Sequence, residues 1–254
     1  MRRLILVLLL STVVFSLLNM PLRQVLRVVE LPPGLVISGL QGTLRSGQVE
    51  QLGYRGVAFE KIRYSLRPVC LLWLKLCYRL EDDNGDLRLN PGYSTWGGFA
   101  LEDTRLRLPV ERLRPWLGKL LVQPKGELEL QMQALELGNN RRLEALQAVL
   151  YWRKAGIEGE SVVLGDFRAD IEQQGPEIRL QVGDEPGALL GVQGEIRLGA
   201  EDFRVDVKLE ARPGLGESAR NALELMARRD GLNRYRIQRQ GRLPRPIPWL
   251  PPRS

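Results

Sequence analysis

The sequence predicts a mainly β protein: a long curved antiparallel meander with one apolar face, two short helices and a single N-terminal transmembrane helix. Three observations carry this reading. Segments in which polar and apolar residues alternate recur through the body of the chain. Glycine and proline turn signals separate them. An uninterrupted apolar run follows two arginines at the N-terminus.

That run comes first in chain order. MRRLILVLLLSTVVFSLLNMPLR carries Arg2 and Arg3, then an apolar segment containing Leu4, Leu8, Val13, Phe15 and Leu18. Counted through Leu22 it would extend about 28 Å as a helix, enough for a hydrocarbon core of ~30 Å. A cleaved signal peptide also opens on arginines and an apolar stretch, but it ends in a small-x-small site, whereas here Asn-Met-Pro-Leu-Arg follows. Residues 1–22 are therefore expected to be a cytoplasmic start and a retained signal anchor in contact with membrane lipid, the cleaved signal being the alternative. The arginines place the start in the cytoplasm, an assignment that Arg23 and Arg27 weaken without reversing. Residues 23–34, ending in ELPPG, form a stiff linker, and the strand-rich domain at 35–243 then lies outside the cytoplasm.

Within that domain Asp202–Arg212 is the clearest strand, with Phe203, Val205, Val207, Leu209 and Ala211 on one face and charges on the other. The same period runs through Glu127–Ala134, Glu177–Val182, Tyr235–Leu243 and Ser161–Ile171, the last with Val163, Phe167, Ala169 and Ile171. In Val57–Leu66 the apolar parity changes near Glu60–Lys61, as a β-bulge would make it. Such segments make a sheet with one dry and one wet face. Glu81–Asp86, EDDNGD, has the Asn-Gly pair of a type I′ hairpin, and its spacing fails the calcium-loop pattern. Helices are expected at Glu217–Arg229, closed by Gly231, and after Pro109, with Val110, Leu113 and Leu117 on one side. Residues 244–254 are a proline-rich tail. Trp249 in it is a candidate docking residue, against the plainer reading of a disordered end.

Two nonapeptides nearly repeat: GLQGTLRSG at 39–47 and GVQGEIRLG at 191–199, with a looser QGRL at 240–243. Each sets a glycine, Gly42, Gly194 or Gly241, into an apolar row. Glycine in a strand marks a bend, a bulge or a close backbone approach, so these three are expected to be strand-kink glycines that relieve crowding on the concave side of a coiling sheet.

Other features exclude function classes. The chain has no histidine, which removes the commonest general base and metal ligand. P-loop, dinucleotide, nucleophile-elbow and Cys-x-x-Cys motifs are missing from the sequence. No catalytic residue, metal, cofactor or small-molecule substrate is expected. The net charge is +7, yet lysine and arginine alternate with acids, no basic run reaches five, and aromatics do not interleave with arginines, so no nucleic acid is expected. Cys70 and Cys77 would be about 23 Å apart along a strand and about 10 Å along a helix, too far for a bond. Two buried thiols are the plain reading.

At GLVISGLQGTLRSGQVEQLGYRGVAFEKIRYSLRP the chain resembles the opening of the type II secretion system protein N family, with a Gly-Thr-Leu-x-x-Gly strand, a strand ending in Gly-Val-x-Phe/Leu, then aromatic-x-Leu-x-Pro. LRLPVERLRPWL, LGDFRADI, GEIRLGAEDFRVDVKLEARP and YRIQRQGRLP extend the likeness in order over nearly the whole chain. Arg45 and Tyr64 depart from it, standing where tryptophan is expected. The resemblance implies a single-pass inner-membrane protein of a Gram-negative bacterium with its domain in the periplasm. There it would contact other inner-membrane and periplasmic components of the apparatus that exports folded proteins. No catalytic site comes with the resemblance, so its contribution would be to assembly or function of that machine. Periplasmic placement reopens the cysteine question, since disulfides persist there, provided the chain turns between the two residues. A half-open sheet with an apolar concave face also suits a lipid-binding or lipid-transfer protein, and the two readings divide on whether helices and the Trp73 and Trp96 regions fill that face.

Overall fold

The computed structural model describes residues 12, 16, 19–26, 34–54, 56–114, 123–158 and 163–250. Leu4, Leu8, Val13, Phe15 and Leu18 of the expected anchor lie outside these residues, and among the described ones no helix is long and apolar enough to cross a membrane. The chain forms two compact units, Met1–Pro91 and Gly92–Ser254.

The first unit begins with a short helix, α1 (Leu22–Leu26), followed by β1 (Leu35–Ser38), β2 (Gln41–Gly42), β3 (Ser46–Tyr54), β4 (Val57–Leu66), β5 (Lys75–Asp82) and β6 (Leu87–Leu89). The antiparallel order is β1-β3-β4-β5-β6, with β2 pairing the other end of β3. Ile62 is fully buried and is joined in the interior by Val49, Val57, Tyr64 and Leu66. The parity change expected in β4 is present: Val57 is buried, Glu60 and Lys61 are exposed, then Ile62, Tyr64 and Leu66 are buried. Its cause is not an inserted residue. Val49 pairs Ile62 and Gln51 pairs Glu60 without a register shift, and Lys61 takes a left-handed φ of 53° instead. The turn after β5 is also different from the expected two-residue type, which would need two residues of positive φ. Only Gly85 there has a positive φ, 77°, and the buried Asp82 carboxylate accepts the Leu87 N–H at 2.9 Å to close a longer loop.

Strand β7 (Pro91–Ser94) leads the chain into the second unit. There β8 (Phe99–Pro109), β9 (Pro124–Leu137), β10 (Leu143–Ile157), β11 (Val163–Gln174), β12 (Glu177–Asp184), β13 (Leu190–Leu198) and β14 (Asp202–Ala211) follow one another as antiparallel neighbours. Helix α2 (Glu217–Met226) leaves the sheet, and the chain returns through β15 (Arg228–Gly231) to β16 (Arg234–Arg242), which pairs β14. The helix is therefore shorter than its apolar stripe suggested. Arg228 and Arg229 belong to a strand, because Gly231 and Asn233, at φ 144° and 61°, turn the chain into a hairpin. The other expected helix is a 3-10 turn over Val110–Leu113; Leu117 lies outside the described residues.

The five alternating segments fold as strands, the one at 161–171 over its described residues from Val163 onward. In β14, Val207, Leu209 and Ala211 are buried as their parity requires. In β11 the reading needs correction: Leu164 is buried while Val163 is 44% exposed, since Gly165 at φ 137° switches the face below Phe167. Along the dry face, Val182, Gly194, Val207 and Ile237 form one cross-strand row. At one end of that face, Leu215, Ala219 and Leu223 from α2 and the residues before it pack with Val207, Leu209 and Tyr235. At the other, Ile247 and Leu250 of the proline-rich segment join Leu143, Ile178 and Leu198.

Candidate functional site

The wet face of the second unit carries an ordered grid of charge. Its rows follow from the antiparallel register, which aligns Gln181, Glu195, Asp206 and Gln238 in one line and Gln193, Lys208 and Arg236 in the next. Arg236 grips Asp206 with two hydrogen bonds of 2.8 and 2.7 Å. Arg179 donates to Glu195 at 2.8 Å, and Arg197 donates to the other oxygen of the same carboxylate. Glu195, Arg197, Asp206, Lys208 and Arg236 border an open depression of about 820 Å³. The arginine hydrogen bonds hold the Asp206 carboxyl below its ordinary range, and Arg197 and then Arg179 do the same to Glu195. Carboxylates lowered in this way stay ionised, the reverse of what a general acid needs. Among the described residues no cluster of three or more acidic or thiol side chains is placed to hold a metal ion.

The three glycines do different things. Gly194 has an ordinary backbone, but a Cβ there would strike the Asp206 carbonyl and come within 2.6 Å of the Val207 Cα, so the neighbouring strand passes too close for any side chain. Gly42 sits at φ 113°, in a tight hairpin whose Gly42–Gly47 pair would leave a Cβ 2.5 Å from the Gly47 Cα. A Cβ at Gly241 would meet the edge of the Phe203 ring at 3.1 Å, and that side chain can give way. The single kink explanation thus divides: the first nonapeptide is a hairpin, the second a continuous strand.

The cysteines are bonded to each other, contrary to the plain reading of two thiols. A 3-10 turn over Pro68–Trp73 ends at Leu74, whose φ of 54° and ψ of 35° reverse the chain and bring the two Cα atoms to 5.9 Å. The loop displays an apolar crown, with Val69, Leu72, Trp73 and Leu74 exposed at 66, 82, 76 and 57%. Trp96 is likewise exposed, so neither tryptophan region fills the dry face; α2 and the tail cover parts of it instead. The loop's base is fastened to the first nonapeptide: Leu66 N–H donates to the Arg45 carbonyl at 2.7 Å, and the Tyr78 hydroxyl to Leu44 O at 3.1 Å. Tyr64, one of the departures noted in the sequence, donates its hydroxyl to Thr43 O at 2.8 Å.

The described part of the tail, 244–250, does not hang free. Leu243 N–H donates to Glu201 O, Ile247 N–H donates to Ala200 O, and the Trp249 carbonyl accepts the Leu143 N–H at 2.7 Å. Leu250 is 3% exposed. Trp249 keeps part of its surface open to solvent.

Fold and surface define an antiparallel sheet protein with a charge-paired face and an oxidised apolar loop. The family model described as "Type II secretion system (T2SS), protein N" matches residues 33–238, and the chain belongs to that family. It is 26% identical over 255 residues to the type II secretion system protein N of Vibrio cholerae serotype O1, covering 93% of this chain and 97% of that protein. It is 28% identical over 253 residues to the protein of the same description from Aeromonas hydrophila, covering 90% and 93%. No solved structure matches. The chain is a type II secretion component.

Proposed function

We propose that the protein is a non-catalytic, single-pass component of the inner membrane, with both folded units in the periplasm, and that it serves assembly or operation of the secretion machine through protein contacts. The observation that carries this is the Cys70–Cys77 bond. Disulfides persist in oxidising compartments and are rare in the cytoplasm, and a strand-built domain C-terminal to an apolar N-terminal run reaches the periplasm when that run is a retained anchor with its arginines inside. The wet face supports contact as the mode of action, since its charges are ordered by register and paired. The lipid-transfer alternative has less support, because α2 and the tail occupy both ends of the apolar face such a ligand would need.

The test is in vivo crosslinking from a photoreactive residue at the exposed Gln193, in cells carrying the complete secretion system. A crosslink to another secretion component, identified by mass spectrometry, is expected. Normal expression without any such crosslink, from this position or from Arg197, would remove the wet face from the proposal.

A further inference from the structure

We propose that the disulfide-closed loop Arg67–Cys77 is a second membrane contact, its apolar crown resting in the interfacial layer of the same bilayer that holds the N-terminal segment. The inference rests on the single-pass reading above. Five exposed apolar side chains at one loop, Val69, Leu72, Trp73, Leu74 and Leu76, are unusual on a surface bathed only by water. A disulfide and a left-handed Leu74 fix them there, so they do not fold back onto the sheet.

What covers the crown follows from where it is tied. The apolar run ends at Leu18, and the residues just after it bind the first nonapeptide: Leu44 N–H donates to the Met20 carbonyl at 3.1 Å, Pro21 bridges Thr43, and Arg23 Nε donates to Leu40 O at 2.8 Å. The adjoining carbonyls hold the loop's base, Leu44 O through Tyr78 and Arg45 O through Leu66. Three successive residues, Thr43 to Arg45, thus connect the exit of the apolar run to the root of the loop. A bilayer crossed by that run lies beside the loop.

The composition agrees. RPVCLLWLKLCYR contains Arg67, Lys75 and Arg79 and no carboxylate, so basic groups flank the apolar residues, as at a surface of anionic headgroups. Tryptophan prefers that interfacial depth, where its ring is half in hydrocarbon. The loop would hold the first unit in one orientation against the membrane, which a single flexible tether does not.

The experiment uses the full-length chain reconstituted in vesicles of phosphatidylethanolamine and phosphatidylglycerol with brominated acyl chains. Tryptophan emission is compared between the wild type and Trp73→Phe, a change at an exposed site. The difference, which is Trp73's own emission, should be lost to bromine quenching, and Leu72→Asp with Leu74→Asp should restore it. Carbonate extraction of the same vesicles separates the two readings. A retained chain whose Trp73 is unquenched overturns the loop contact alone and leaves the crown to a protein partner. A chain released by carbonate overturns the anchor, and this inference with it.

Discussion

Cys70 and Cys77 are joined because Leu74, between them, takes the left-handed conformation; their Cα atoms stand 5.9 Å apart, where a strand would hold them about 23 Å apart. A left-handed leucine costs about 1–2 kcal/mol. The cross-link offsets that cost by restricting the unfolded chain, and for so short a loop the chain-entropy account gives about 2 kcal/mol. Replacing both cysteines by serine should therefore lower the stability of the first unit by about 2 kcal/mol at most. Hydrogen exchange should show the loss confined to residues 66–78. Loss spread evenly over the second unit would contradict the local role.

Gly194 and Gly42 should fail for different reasons. Gly194→Val drives a side chain into the Val207 backbone, and overpacking of this kind costs about 1–3 kcal/mol. Gly42→Ala forces an L residue to a φ of 113° and also sets its Cβ 2.5 Å from the Gly47 Cα, so it should cost more than the ~1–2 kcal/mol of a left-handed residue alone. Gly42→Asn carries the same Cβ and should recover none of the loss. Chemical denaturation of the three variants checks this, and wild-type stability at either site would refute it.

How much of this was legible depends on periodicity. Segments such as Asp202–Arg212 announce themselves, since every second residue is apolar and Val207, Leu209 and Ala211 are buried in phase with it. The longest strand, β10, was silent. Its pairing shifts register near Trp152 and Gly156, Lys154 takes φ 48°, and the apolar cluster Ala148–Trp152 does not alternate. Bulges conceal strands because they break the period that reveals them. The disulfide was missed for a related reason: nothing in a leucine signals a left-handed residue. The twin nonapeptides stand out in the sequence, but their matching glycines serve a hairpin in one and a close strand approach in the other, a choice made by tertiary neighbours. The wet-face grid needed the register before Asp206 could be matched with Arg236.

The Asp206–Arg236 pair makes stability pH-dependent. The Asp206 carboxyl is lowered in the folded state by the Arg236 hydrogen bonds, so its stabilising effect is complete above the unfolded-state value and is lost as pH falls through the folded one. Asp206→Asn should thus lower the melting temperature at neutral pH and make no difference in strong acid. The effect is small, as for any exposed ion pair. A gap between variant and wild type that widens on acidification would reverse the assignment.

Leu250→Ala should cost about 2–4 kcal/mol, the price of a cavity among Leu143 and Ile178. Removal of residues 244–254 should destabilise the second unit further, since it also strips the Trp249 carbonyl from the Leu143 N–H. Unchanged thermal melting of that truncation would return the segment to the status of a solvated end.

The central claim, that the folded units of this secretion component stand in the periplasm, is tested most directly by the thiol state of the full-length chain in living cells. Cells are quenched in acid and the protein is exposed to a thiol-reactive polyethylene glycol, with and without prior reduction. The account predicts no gel shift until the Cys70–Cys77 bond is reduced, then modification of both cysteines. Two freely reactive thiols before reduction would place the domain in a reducing compartment and contradict it.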